Sequence, residues 1–143
     1  MINNPNTLPH LTKTSTPAQA IKVLLVDDDA FQRELIAGTL ESLGVHQITQ
    51  VASGDLALQK LTAAHGFNLL LLDLHMPGMD GFQFMEALVK TRYAGALIIV
   101  SGQSDEVMHA ANMVAKIRLF NVLGSVPKPA GRAALSALLD KMN

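Results

Sequence analysis

Asp27, Asp28 and Asp29 close one apolar run of this chain, Asp73 closes another, Ser101 a third, and Lys128 follows a fourth. Carboxylates gathered in one place repel one another and raise one another's pKa unless a cation intervenes. Two or three of them with a backbone carbonyl form an all-oxygen site that suits Mg²⁺, which keeps several waters and accepts a phosphate oxygen. An ammonium and a hydroxyl opposite such a metal supply a positive charge and a hydrogen bond. If the fold brings these groups together, they make a device for phosphoryl transfer to a carboxylate, a reaction that needs little beyond in-line positioning and charge neutralisation. Asp73 is central, because it ends the run Leu69-Leu70-Leu71-Leu72 and opens Asp73-Leu74-His75-Met76-Pro77-Gly78-Met79-Asp80-Gly81. A carboxylate where a buried strand gives way to a turn-rich loop lies at the ligand-binding edge of an open α/β sheet. There it can be a nucleophile, a metal ligand or both.

The elements that must position these groups alternate along the chain. Ile21 to Val26 reads as an apolar strand. Phe31, Leu35, Ile36, Leu40 and Leu43 follow at helical spacing, with Gly44 as the stop. Asp29 can begin that helix and complement its dipole. His46 to Val51 is a weaker strand, and Ser53 caps a helix carrying Ala57, Leu58 and Leu61. Leu69 to Asp73 is the third strand, followed by a helix through Phe82, Met85, Leu88 and Val89 with Asp80 as its cap. Ala96 to Val100 is the fourth strand, and Ser104 or Asp105 caps a long helix through Val107, Ala111, Val114 and Ala115. Val122 to Val126 is the fifth strand, and Leu135, Leu138, Leu139 and Met142 make the last helix amphipathic. This succession of βα units predicts a doubly wound parallel sheet with helices on both faces.

Composition narrows the class. The 143 residues suffice for one core of ordinary size. A net charge of −1 with no basic block gives no nucleic-acid footprint. The chain has no cysteine, and its five histidines show no ligand spacing. No apolar run approaches the ~18 residues of a membrane span, and no secretory signal opens the chain. A cytoplasmic protein is the expectation. Residues 1–20, rich in Asn, Thr and Pro, read as a flexible leader, and residues 21–143 as the folded domain.

The combination of Asp27-Asp28 after the first strand, Asp73 with Met76-Pro77-Gly78-Met79-Asp80-Gly81, Ser101-Gly102 after the fourth and Lys128-Pro129 after the fifth resembles the receiver domain of two-component response regulators. That resemblance implies a flavodoxin-like (βα)5 fold with strand order 2-1-3-4-5, so that strands one and three neighbour each other. It implies that Asp73 is the phosphoacceptor, with Asp28, Asp73 and the backbone carbonyl of His75 as Mg²⁺ ligands and Asp27 holding the metal through water. Ser101 would be the switch hydroxyl and Lys128 the phosphate-pairing lysine, with the Lys128–Pro129 bond in cis. The implied donor is a histidine kinase or a histidine phosphotransfer protein. The implied output is a partner or effector domain meeting the face of the fourth helix, fifth strand and fifth helix. Self-catalysed transfer and slow autodephosphorylation, without turnover as an enzyme, complete the expectation. His75 and Gln103 would flank the path of the hydrolytic water.

Two departures stand out. Ser125 occupies the place where receivers commonly carry Tyr or Phe, so the usual aromatic coupling from Ser101 is missing, and Phe120 is the candidate substitute. The stretch between Ser101 and Lys128 is also longer than in most receivers. Residues 114–128 resemble those of receivers fused to EAL-type cyclic-di-GMP phosphodiesterases, which implies an output related to that nucleotide. Two other readings compete. A phosphatase of the haloacid dehalogenase type also uses an aspartate after a strand, but commonly with a second aspartate two residues on, where this chain has His75. A receiver-like binding module not controlled by phosphorylation would fit the missing aromatic alone.

Overall fold

Leu69–Leu72 is buried at every position and forms the middle strand, β3, of a five-stranded parallel sheet. The computed structural model describes residues 20–62 and 65–142; the leader lies outside them except for Ala20. The other strands are β1 (Lys22–Val26), β2 (Gln47–Val51), β4 (Ala96–Ser101) and β5 (Asn121–Pro127), and the order is β2-β1-β3-β4-β5. The helices are α1 (Ala30–Ser42), α2 (Gly54–Lys60), α3 (Gly81–Thr91), α4 (Asp105–Ile117) and α5 (Arg132–Leu139). Strand boundaries fall within about a residue of the sequence reading, the scatter normal for element ends.

Alternation along the strands sorts their side chains into two cores. Leu24, Val26, Leu70, Leu72, Leu97 and Ile99 pack with Ala57, Phe84, Met85, Leu88, Met108 and Ala111 of α2, α3 and α4. Val23, Leu25, Leu69, Leu71, Ile98 and Val100 pack with Ile36, Leu40 and Leu135 of α1 and α5. Burial of each such leucine stabilises by about 1.5–3 kcal/mol. The sheet is therefore anchored from both sides.

The helix starts follow their cap residues. Asp29 accepts from the amides of Phe31 and Gln32, Ser53 from that of Leu56, and Ser104 from that of Val107. Asp80 and Gln83 form a reciprocal capping box at α3. Gly44 adopts φ 89 just past α1, the left-handed conformation that ends a helix.

Three details differ from the sequence reading. Phe31 and Leu35 fit the helical spacing but stand 68% and 43% exposed, because α1 buries the stripe of Ile36, Ala37 and Leu40 instead. The last α-helix stops at Leu139, and Asp140–Met142 continues as a 3-10 turn. Between β4 and β5 the register slips: Leu97 pairs with Val122 but Ile98 with Gly124, so Leu123 is the extra residue of a bulge. Spacing alone carried no sign of that slip.

Candidate functional site

The alternation that builds the cores also aims the site. Asp27 continues the row of Val23 and Leu25, and Asp73 the row of Leu69 and Leu71, so both side chains leave their strands on the same side. Backbone bonds extend the ladder into both residues: Asp27 N–H donates to Val51 O at 3.2 Å and Asp73 N–H to Val26 O at 3.0 Å. Lys128 N–H donates to Ser101 O at 3.1 Å, which ties the lysine to the end of β4. The Lys128–Pro129 bond is cis.

Carboxylate oxygens of Asp27, Asp28 and Asp73 all lie within 4.8 Å of one another. Asp27 and Asp73 are buried and Asp28 is exposed. The Lys128 ammonium stands between the buried pair, 2.7 Å from Asp27 Oδ2 and 3.3 Å from Asp73 Oδ2. The other oxygen of each carboxylate is held by the turn that follows it. Asp27 Oδ1 accepts from Asp29 N–H at 2.9 Å, and Asp73 Oδ1 from His75 N–H at 3.2 Å.

Electrostatics follow from this crowding. Burial, and next the charge of Asp27, push the Asp73 pKa above the usual carboxylate value, against the opposing pull of the His75 amide and Lys128. Burial pulls the Lys128 pKa down, but pairing with Asp27 and Asp73 outweighs it, and the net shift is upward. Three carboxylates against one ammonium leave negative charge in excess. With hard oxygens converging and one acid open to solvent, this donor set fits a divalent cation such as Mg²⁺. A cavity of about 340 Å³ opens above it, lined by Asp28, Asp29, Asp73, His75, Gln103 and Lys128 among others. Asp29, which caps α1, thus also borders the cavity.

Ser101 lies in the other row of strand side chains from Asp27 and Asp73. It is buried at the end of β4 in the row of Leu97 and Ile99, on the α4 side. Its Oγ accepts from Gln103 N–H at 3.2 Å, leaving the hydroxyl proton free to donate. Its row-mate across β4 and β5 is Ser125, which pairs with Ile99 and faces α4 as well. Ser125 Oγ accepts from Asn112 Nδ2 at 3.0 Å, and the same amide donates to Met108 O at 3.2 Å. A polar link between α4 and β5 therefore stands at Ser125, where the sequence reading noted that the aromatic ring is missing. Phe120 does not take that place. It precedes β5, whose first residue Asn121 pairs with Ala96 at the start of β4, and so lies at the sheet edge opposite the site.

The sequence reading quoted Gly81 within its motif without giving it a role, and did not include Arg33. Gly81 begins α3 with its N–H on Leu74 O at 2.9 Å, and a Cβ there would stand 2.7 Å from Leu74 Cα and 3.1 Å from Asp73 O. Only glycine lets α3 close onto the loop that carries Asp73. Arg33 of α1 donates from Nη1 to Asp27 O at 2.7 Å. An arginine on a first helical turn carries no local signal of such a contact.

Residues 23–140 match the family model described as the response regulator receiver domain. Over 74 residues the chain is 47% identical to the response regulator protein FleR of Pseudomonas aeruginosa, covering 52% of this chain and 15% of that protein. It is 36% identical over 94 residues to a probable chemotaxis protein CheY of Rhizobium etli, covering 64% of this chain and 71% of the relative. A response regulator structure from Colwellia psychrerythraea superposes with a TM-score of 0.71 at 26% identity, over 85% of this chain and 95% of that one. The strand order is that of CheY-like structures. The comparisons lend no support to the expected likeness to receivers fused to EAL-type phosphodiesterases.

Proposed function

The chain belongs to the response regulator receiver family, and from that premise we propose that Asp73 is the phosphoacceptor of a two-component phosphorelay. The donor is a histidine kinase or a histidine phosphotransfer protein presenting a phosphohistidine. An oxygen of Asp73 bonds to phosphorus as the phosphorus–nitrogen bond breaks, and the electron pair of that bond stays on the departing imidazole. The observation that carries the reading is the convergence of Asp27, Asp28 and Asp73 within 4.8 Å around the ammonium of Lys128.

Each group has a stated task. Lys128 is already paired with Asp73 Oδ2 and supplies positive charge to the oxygens of the arriving phosphoryl group. The His75 amide fixes the rotation of the Asp73 carboxylate through Oδ1. Ser101 donates its free hydroxyl proton once the phosphoryl group is in place. Asp27, Asp28 and Asp73, with the backbone carbonyl of His75, would hold Mg²⁺. When bound, that ion offsets the excess negative charge of the acids and of the phosphoryl oxygens. His75 and Gln103 border the cavity and govern how water reaches the phosphoryl group.

The conformational output passes to a partner or effector domain through the face made by α4, β5 and α5. Gly102 and Gln103, between Ser101 and the α4 cap Ser104, connect the site to that face. Such a switch needs two conformations separated by a few kcal/mol. Location in the cytoplasm belongs to the same proposal; among the described residues no helix is long and apolar enough to cross a membrane.

Beryllofluoride, a phosphoryl analogue, tests the acceptor. Wild-type protein binds it only with Mg²⁺ present, and Asp73→Asn abolishes binding. Undiminished binding by Asp73→Asn overturns the assignment. Turnover of free phosphate esters, in place of stoichiometric and labile incorporation at Asp73, would favour a phosphatase instead.

A further inference from the structure

We propose that Arg33 is a positioning residue for the metal site: its guanidinium clamps the Asp27 carbonyl and so holds the Asp27–Asp28 turn in the geometry that binds a divalent cation. The inference rests on the Mg²⁺ reading above and adds a residue to it. Asp27 ends the ladder of β1 and is 1% exposed, so its carbonyl needs a donor from within the protein. Arg33 Nη1 supplies that donor at 2.7 Å, reaching back from α1. The rest of Asp27 is held too, with its N–H on Val51 O at 3.2 Å and its Oδ1 on Asp29 N–H at 2.9 Å. The guanidinium contact is thus what fixes the peptide plane between Asp27 and Asp28. Rotation of that plane would carry Asp28, the exposed member of the acid triad, away from Asp73.

The contact goes to a carbonyl and not to a carboxylate, so Arg33 itself occupies no acid oxygen. Arg33 also brings a positive charge near the acids, and that charge alone opposes a second cation. The two effects have opposite signs. If Arg33 acted only through charge, its neutralisation would tighten Mg²⁺ binding; if it positions the turn, neutralisation loosens it. Groups that orient metal ligands commonly change affinity by about 10–100-fold when removed.

Mg²⁺ titration followed by amide NMR shifts of Asp28 and Asp73 measures the dissociation constant directly, without any phosphoryl donor. Arg33→Met is expected to weaken Mg²⁺ on the order of tenfold despite losing a like charge. Arg33→Lys, which keeps the charge and can place one donor, is expected to recover part of that loss. Thermal unfolding of each variant without metal gives the temperature range in which all are folded, and the titrations are made within it. Equal or tighter binding by Arg33→Met overturns the proposal. If Arg33→Met does not fold, Arg33→Lys and Arg33→Gln decide: unchanged affinity in both overturns it, and graded loss from Lys to Gln supports it. Failure of the wild-type protein to bind Mg²⁺ would overturn the functional reading, and this inference with it.

Discussion

The acid cluster at the β1 and β3 ends and the α4–β5 face below Ser101 are two ends of one proposed switch, built on different chemistry. In the cluster, two buried carboxylates and an ammonium meet at 2.7 and 3.3 Å, and every group is charged. On the α4–β5 face, a neutral amide and a neutral hydroxyl, Asn112 and Ser125, meet at 3.0 Å beside half-buried and exposed side chains. The first region holds electrostatic repulsion that a cation can relieve and that an arriving phosphoryl group would increase. The second stores little, since a neutral hydrogen bond contributes about 1 kcal/mol net. The cluster can therefore drive a change that the outer face only transmits.

Removing the exposed acid should break the comparison most sharply. Asp28→Ala is expected to weaken Mg²⁺ binding by about tenfold or more, because the remaining acids are buried and both are paired with Lys128. Mg²⁺ affinity left unchanged would show that the cluster does not act as a unit. A smaller, kinetic effect is expected at the cavity rim. His75→Ala and Gln103→Ala should change the lifetime of the phosphoryl group several-fold while leaving phosphorylation intact, as read by the decay of incorporated label. Lifetimes unmoved in both variants would remove these side chains from the path of water.

The stored repulsion itself has a pH signature. The folded-state pKa of Asp73 is raised above 3.8, so in this range the native state holds more protons than the unfolded state. Stability without metal accordingly falls as pH rises from 3.8 through the folded pKa, and ionised Asp73 is a cost at neutral pH. Asp73→Asn removes that slope and is expected to raise the metal-free melting temperature at pH 7 by about 2–4 °C. Melting below wild type would mean that the pairing with Lys128 outweighs the repulsion. The Lys128 contribution has the same sign in a higher window. Its raised pKa stabilises below the unfolded value of 10.5, so at neutral pH the contribution is fully present, and it is lost as pH climbs through the folded one.

The smallest effect belongs to the outer face. Asn112→Ala should cost about 1 kcal/mol or less and leave beryllofluoride binding unchanged. It should, however, reduce the difference in amide exchange over residues 101–120 between the Mg²⁺-beryllofluoride form and the free form. An unaltered difference would take the link to Ser125 out of the transmission route.

Much of this molecule could be read from its residues. Leu69-Leu70-Leu71-Leu72 and Ala96 to Val100 announce buried parallel strands, and Ser53, Asp80 and Ser104 announce helix starts, because both signals are local. Asp73 stood out for the same reason: a carboxylate directly after an all-apolar run conflicts with burial unless it has a task. The order of the strands, by contrast, came from family likeness and not from periodicity. What only the tertiary structure decided are contacts between residues far apart in sequence, or dependent on side-chain direction. These are the exposure of Phe31 and Leu35, the extra residue Leu123 in β5, the Asn112–Ser125 link, the close approach that demands Gly81, and the hold of Arg33 on Asp27. Hydrophobic spacing records which residues can be buried. The choice of buried stripe, register and polar partner is made when the helices settle on the two faces of the sheet, and no single segment carries that information.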